Sequence, residues 1–157
     1  MTNSSKGIAL ITGASGGIGA VYADRLAKRG YDLIVVARNE QRLKELSARL
    51  TKETDRSVTQ LRADLSDKTD LAKVENILRS DPSITMLVNN AGTASVAPLL
   101  NADVEKMEEM IFLNVTALTR LTYAAAPAFV ARHRHDYQHW FCNGYLARKG
   151  QRGLWCN

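Results

Sequence analysis

Short aliphatic runs alternate with longer stretches of helical spacing through the first hundred residues of the chain. Gly7 to Thr12 is an apolar run that feeds a glycine cluster. Ile18 to Arg29 then places Ile18, Val21, Tyr22 and Leu26 at helical intervals until Gly30 stops the pattern. Leu33 to Ala37 is unbroken aliphatic, as in a strand buried on both faces, and Glu40 to Leu50 follows with Leu43, Leu46 and Leu50 on one helical face. Ser57 to Ala63 reads as a third strand, and Asp67 to Arg79 as a helix carrying Leu71, Val74, Ile77 and Leu78. Ile84 to Asn89 is the fourth strand, after Asp81-Pro82. From Asp103 one long amphipathic helix is expected through Met107, Met110, Ile111, Val115, Leu118 and Leu121 toward Pro127, which should kink or end it. Such alternation predicts an α/β fold with a parallel sheet and right-handed crossovers. Residues 131–157 show neither the strand nor the helix that a doubly wound sheet needs next.

A length of 157 residues suits one domain, and 45% hydrophobic with 24% charged residues excludes collagenous and disordered classes. The apolar stretch Ile8 to Ile11 is too short for a signal peptide, and no run approaches a membrane span, so a cytoplasmic location without a membrane partner is expected. The net charge of +5 is uneven: residues 1–130 hold 16 basic against 15 acidic side chains, and residues 131–157 hold five against one. That tail also contains His133, His135, His139, Cys142, Cys156, Trp140 and Trp155, which are all the histidines, cysteines and tryptophans of the chain. Because the basic excess sits in this anomalous segment, no nucleic-acid partner is expected. Cys142 and Cys156 match neither a disulfide framework nor a zinc pairing, and His133, His135, His139 and Cys142 lack a supporting carboxylate pattern, so no metal is expected.

The candidate chemistry lies at predicted strand ends, where open α/β sheets bind ligands. Thr12-Gly13-Ala14-Ser15-Gly16-Gly17-Ile18-Gly19 joins a strand to a helix, so backbone N–H groups and the positive helix end face the turn and favour a phosphate. Gly13, Gly17 and Gly19 follow the logic of dinucleotide fingerprints, although their spacing departs from GxGxxG. The same run fits GxSxG through Gly13, Ser15 and Gly17, a hydrolase nucleophile elbow with Ser15 as nucleophile, and it also fits a purely structural turn. After the second strand the chain has Ala37 and Arg38 where a carboxylate would bind the ribose of NAD. A cation there pairs with a 2′-phosphate and favours NADP, the alternative being NAD with Arg38 a solvated surface residue. Asp64-Leu65 ends the third strand and Asn89-Asn90-Ala91-Gly92 the fourth.

Together these segments resemble the short-chain dehydrogenase/reductase family: TGASGGIG after strand one, ADL after strand three, LVNNAG after strand four, and Asn114 in FLNVTA on the long helix. The resemblance covers residues 6 to about 130, and LVNNAG has no counterpart in the hydrolase alternative. It implies a Rossmann-type doubly wound parallel sheet, here incomplete because the later strands and helices are lacking. It also implies an NAD(P)-dependent oxidoreductase moving hydride between nicotinamide and a small carbonyl or alcohol substrate, in a family whose intact members are usually homodimers or homotetramers. By the same resemblance Gly13, Ser15, Gly17, Ile18 and Gly19 hold the pyrophosphate and adjacent ribose, and Arg38 the 2′-phosphate. Asp64 and Leu65 meet the adenine, and Asn90, Ala91 and Gly92 lie on the nicotinamide side. Asn114 is the catalytic asparagine that supports a proton relay, its bland alternative being a solvent-facing polar residue on the helix.

The family also needs a serine, a tyrosine and a lysine four residues after the tyrosine. No serine follows Ser95; Tyr145 and Lys149 form YxxxK but lie too soon after Asn114, so the pair is read as coincidence. Dropping the first base of the Arg132 codon permits, with synonymous codons, the shifted reading GTGTIINIGSVMAISPERANGVYGVT. It places a serine at Phe141 and a tyrosine at Leu154, 27 and 40 residues after Asn114, and a TAA stop after Asn157 would begin a lysine codon in that frame. The expected organisation is therefore an NAD(P)-binding domain over residues 1–131 and a basic, out-of-frame tail over 132–157, with catalysis impaired.

Overall fold

The computed structural model describes residues 5–94 and 98–132. Four strands, β1 (Ile8–Thr12), β2 (Asp32–Ala37), β3 (Val58–Arg62) and β4 (Ile84–Val88), alternate with α1 (Gly17–Lys28), α2 (Glu40–Thr54) and α3 (Lys68–Ser80). A short 3-10 turn, Leu99–Asn101, precedes α4 (Val104–Ile111), a π-helical segment Phe112–Ala117, and α5 (Leu118–Arg132). All strand pairs are parallel and the sheet order is β3-β2-β1-β4. The order reverses at β1, so the crevice between the carboxyl ends of β1 and β4 is the topological switch point, where such sheets take ligands.

The aliphatic runs fill both faces of this sheet, as expected for parallel strands under helices. Leu10, Ile34, Val36, Ile84 and Leu87 pack with Leu71, Val74 and Leu78 of α3 and Leu121 of α5 on one side. Ala9, Ile11, Leu33, Val35 and Ala37 pack with Ala23 and Leu26 of α1 and Leu43, Leu46 and Leu50 of α2 on the other. Each fully buried leucine, such as Leu10 or Leu43, contributes about 1.5–3 kcal/mol by burial. The helix starts follow the sequence: Asn39, Asp67 and Asp103 cap α2, α3 and α4 by accepting backbone N–H groups.

The helices depart from the expected pattern in four places. In α1 the buried positions are Gly19, Ala23, Leu26 and Ala27, whereas Ile18 and Val21 are 69% and 49% exposed. Small residues face the sheet there because the helix lies close against it, and the large ones point away. Helix α2 runs past Leu50 to Thr54 and ends where Asp55 adopts a left-handed conformation, φ +55°. Of the two outcomes expected at Pro127, a kink or an end, the helix does not take the second: Pro127 lies inside α5. The missing N–H forgoes a bond to the carbonyl of Tyr123, a residue 75% exposed, where water can solvate it. Nor does that helix show one continuous apolar face. The i→i+5 pattern of Phe112–Ala117 takes up one more residue per turn and shifts the phase. The buried stripe becomes Ala117, Leu121, Ala124, Ala125 and Phe129, while Ile111 and Val115 are more than half exposed.

A buried charge fastens α5 to α3. Glu75 is 3% exposed, and its carboxylate accepts from Nε and Nη2 of Arg120 on α5 and from Nη2 of Arg79. Burial pushes the Glu75 carboxyl up, but the two guanidiniums outweigh burial and hold it below the usual carboxylate range. A carboxyl depressed in this way stabilises the fold above its unfolded pKa and loses that contribution as pH falls through its folded value. The urea midpoint should therefore drop between about pH 6 and about pH 3, across the ordinary glutamate range. Glu75→Gln should lower the midpoint at pH 6 and flatten the drop; an unchanged pH profile would remove the clamp from this account.

Candidate functional site

The site begins with Thr12, the last residue of β1, which is 1% exposed. Its Oγ1 accepts the backbone N–H groups of Asn90 and Ala91, each at 3.0 Å, and donates to the carbonyl of Val88 at 3.3 Å. Asn90 answers from the other side: its Nδ2 donates to the carbonyls of Thr12 and Gly13, both at 3.2 Å. The loop after β4 is thereby stitched onto the glycine turn after β1. The contact is close enough to require glycine at two positions. A Cβ on Gly13, where φ is +66°, would stand 2.9 Å from Ala91 Cα, and one on Gly19 would strike the Gly13 carbonyl and Asn90 Nδ2. Gly17, by contrast, faces open space at the start of α1.

A cavity of about 380 Å³ opens at the carboxyl ends of the strands. Of the residues singled out from sequence, Gly13, Ser15, Arg38, Asp64, Leu65, Ala91 and Gly92 line it. Gly17, Ile18 and Gly19 belong to the turn and first helical residues beside it, and Asn90 braces its floor from behind. The Asp64 carboxylate shapes its own turn by accepting the Ser66 N–H at 2.9 Å, and the Asp64 N–H donates to Asp70 at 3.0 Å. Hydrogen bonds from Lys73 and from this N–H hold the Asp70 carboxyl below the usual range. Arg38 Nη1 stands 4.0 Å from Asp64 Oδ2, across the cavity mouth.

Asn114 sits in the π-helical segment, and its amide is engaged on both sides. Its Oδ1 accepts the Thr93 N–H at 3.0 Å, and its Nδ2 donates to the Thr93 carbonyl at 2.7 Å. The side chain is therefore tied to the loop beyond Gly92. One residue before Asn90, the buried Asn89 donates to Thr122 Oγ1 at 3.0 Å, joining β4 to α5.

Sequence reasoning missed three participants. Arg42, on the first turn of α2, lines the cavity beside Arg38; it was hidden in a charged helix face, and its only signal is the four-residue spacing from Arg38. Thr12 reads as the end of a strand, and Thr93 follows the last recognisable motif residue; neither role has a local signal. His133, His135, His139, Cys142, Tyr145 and Lys149 lie outside the described residues. Among the described residues no helix is long and apolar enough to cross a membrane.

A parallel sheet in the order 3-2-1-4, a glycine turn at the switch point and a cavity over the strand ends define a doubly wound nucleotide-binding architecture. The family model for short chain dehydrogenase matches residues 7–135, and the chain belongs to that family. A short-chain dehydrogenase from Sphingobium yanoikuyae, solved in complex with NADPH, is 51% identical with a TM-score of 0.79, over 80% of this chain and 50% of that one. The bulky-bulky ketone specific alcohol dehydrogenase of Comamonas testosteroni is 43% identical with a TM-score of 0.80, over 82% and 52%. Among curated proteins, the very-long-chain 3-oxoacyl-CoA reductase of Lodderomyces elongisporus is 33% identical over 127 residues, 78% of this chain and 36% of that protein. The chain thus spans about half the length of these solved structures and about a third of that curated relative.

Thr12 offers a direct test of the stitch. Thr12→Val keeps the shape but leaves two partly buried N–H groups without their acceptor, and should cost about 1–3 kcal/mol in urea unfolding. Thr12→Ser, which retains the oxygen, should lose less than half as much; equal losses would mean that the methyl packing matters and the hydroxyl does not.

Proposed function

We propose that this chain is the dinucleotide-binding portion, residues 1–131, of an NADP(H)-dependent oxidoreductase acting on a small carbonyl or alcohol, followed by an out-of-frame segment over 132–157. The observation that carries this is the cavity at the switch point, walled by the glycine turn, by Arg38 and by the loop that Thr12 and Asn90 lock in place. The residues present fit a dinucleotide. Gly17 leaves an open cradle at the amino end of α1, where free N–H groups favour a pyrophosphate, and the bare backbone of Gly13 borders the cavity. Ser15, Ile18 and Gly19 complete that cradle, Asp64 and Leu65 border the adenine end, and Ala91 and Gly92, braced by Asn90, border the opposite end. Arg38 supplies a guanidinium for a 2′-phosphate, which is why NADP is favoured over NAD.

A bound nicotinamide would supply or accept the hydride; the chain's own part is to bind, orient and manage the proton. Asn114, held by Thr93 next to Gly92, fixes the helix turn beside the reacting end and supports the path by which a proton reaches the substrate oxygen. The chain has no serine after Ser95 to orient that oxygen, and this favours a second reading, a nucleotide-binding fragment without catalysis.

Two measurements test this. Fluorescence titration should show NADPH bound more tightly than NADH, and Arg38→Asp should reverse the order; an unchanged preference would remove Arg38 from the site. NADPH oxidation with a panel of ketones and aldehydes should run on the order of 10²- to 10⁴-fold below an intact family enzyme, the range a missing proton donor commonly costs. A rate near that of the intact enzyme, unaffected by Asn114→Ala, would overturn both the impairment and the role of Asn114.

A further inference from the structure

The cavity carries one cation more than the reading above employs. Arg42 stands on the first turn of α2, which Asn39 fixes by accepting the Arg42 N–H at 2.9 Å. Its guanidinium reaches over the glycine turn: Nη1 lies 3.9 Å from where a Cβ on Gly16 would be. The carboxylates near it along the helix are engaged elsewhere, Glu40 with Lys44 at 2.7 Å and Glu45 with Gln41 at 3.0 Å. Among the described residues no carboxylate is within ion-pair distance of Arg42.

The charge balance gives this cation a consequence. Asp64 stands 4.0 Å from Arg38 and offsets part of its charge, whereas Arg42 is a positive charge on the cavity wall with no carboxylate opposite it. A phosphate monoester carries about −1.5 to −2 charges near neutral pH and has three acceptor oxygens, more than one half-neutralised guanidinium satisfies. We propose that Arg42 is a second specificity-determining residue of this site, closing with Arg38 on a phosphate monoester at the ribose 2′-oxygen. This rests on the dinucleotide reading above. The two arginines then divide the work: Arg38 holds the phosphate from the side shared with Asp64, and Arg42 from the side of the glycine turn.

Calorimetric titration of the full chain with adenosine diphosphoribose and with its 2′-phosphate isolates this interaction, because neither ligand needs the nicotinamide end. Arg42→Ala should weaken the 2′-phosphorylated ligand about tenfold or more, the range of a charged hydrogen bond, and leave the other within about twofold. Arg42→Gln should do the same, which separates loss of charge from an effect of alanine on the helix turn, and Arg42→Lys should recover part of the preference. Raising salt should narrow the preference of the wild type more than that of Arg42→Ala. Equal weakening of both ligands, or no change in either, overturns the proposal. Equal binding of the two ligands by the wild type overturns it while leaving the dinucleotide reading intact, whereas wild type that binds neither overturns both.

Discussion

Two backbone N–H groups converge on the hydroxyl oxygen of Thr12, and that oxygen settles how β1 and β4 end relative to each other. Strand ends in a parallel sheet leave donors and acceptors that no ladder satisfies, and here they lie partly buried, where an unmet group costs about as much as a hydrogen bond is worth. Thr12 and Asn90 satisfy them reciprocally, side chain to backbone in each direction. The close contact that results excludes a Cβ at Gly13 and Gly19. Without the stitch the glycine turn keeps its bond from the Ala14 N–H to the Val36 carbonyl but loses its anchor on the loop after β4.

The cavity sits where several partial charges agree in sign. The amino end of α1 opens toward it, and Arg38 and Arg42 stand on its wall against Asp64. An anion is favoured there by the backbone before any side chain is counted. The far wall depends on a different device. Asn114 reaches the loop through a π-helical segment that is continuous with α5, and α5 is fastened to α3 through Glu75 and Arg120. A charged pair far from the cavity thus helps hold the helix that carries Asn114.

Much of the architecture was legible along the chain because its signals are local. Unbroken aliphatic runs at β1 and β2, the helical spacing of leucines along α2 and α3, and the glycine cluster each act within a few residues. The α1 face was misread because size was taken for burial: close packing on the sheet selects Gly19 and Ala23 and turns Ile18 outward. The long helix was misread because its hydrophobic period assumes uniform turns, and the π-helical segment breaks that assumption at Asn114. The chemistry of Pro127 allows either a kink or an end, and the helix continues through it because the carbonyl it leaves free belongs to an exposed residue.

By itself the sequence determined the order of strands and helices, the positions of the turns, and the short motifs that place the chain among short chain dehydrogenases. These depend on periodicity, capping and backbone freedom, which neighbouring residues decide. Only the tertiary structure decided that Thr12 bonds residues far along the chain, that Thr93 occupies both hydrogen-bonding atoms of Asn114, and that Arg42 stands beside Arg38 at one cavity. Those relations join separate strand ends and helix turns, and no local preference encodes a contact whose partners meet only when the sheet is assembled.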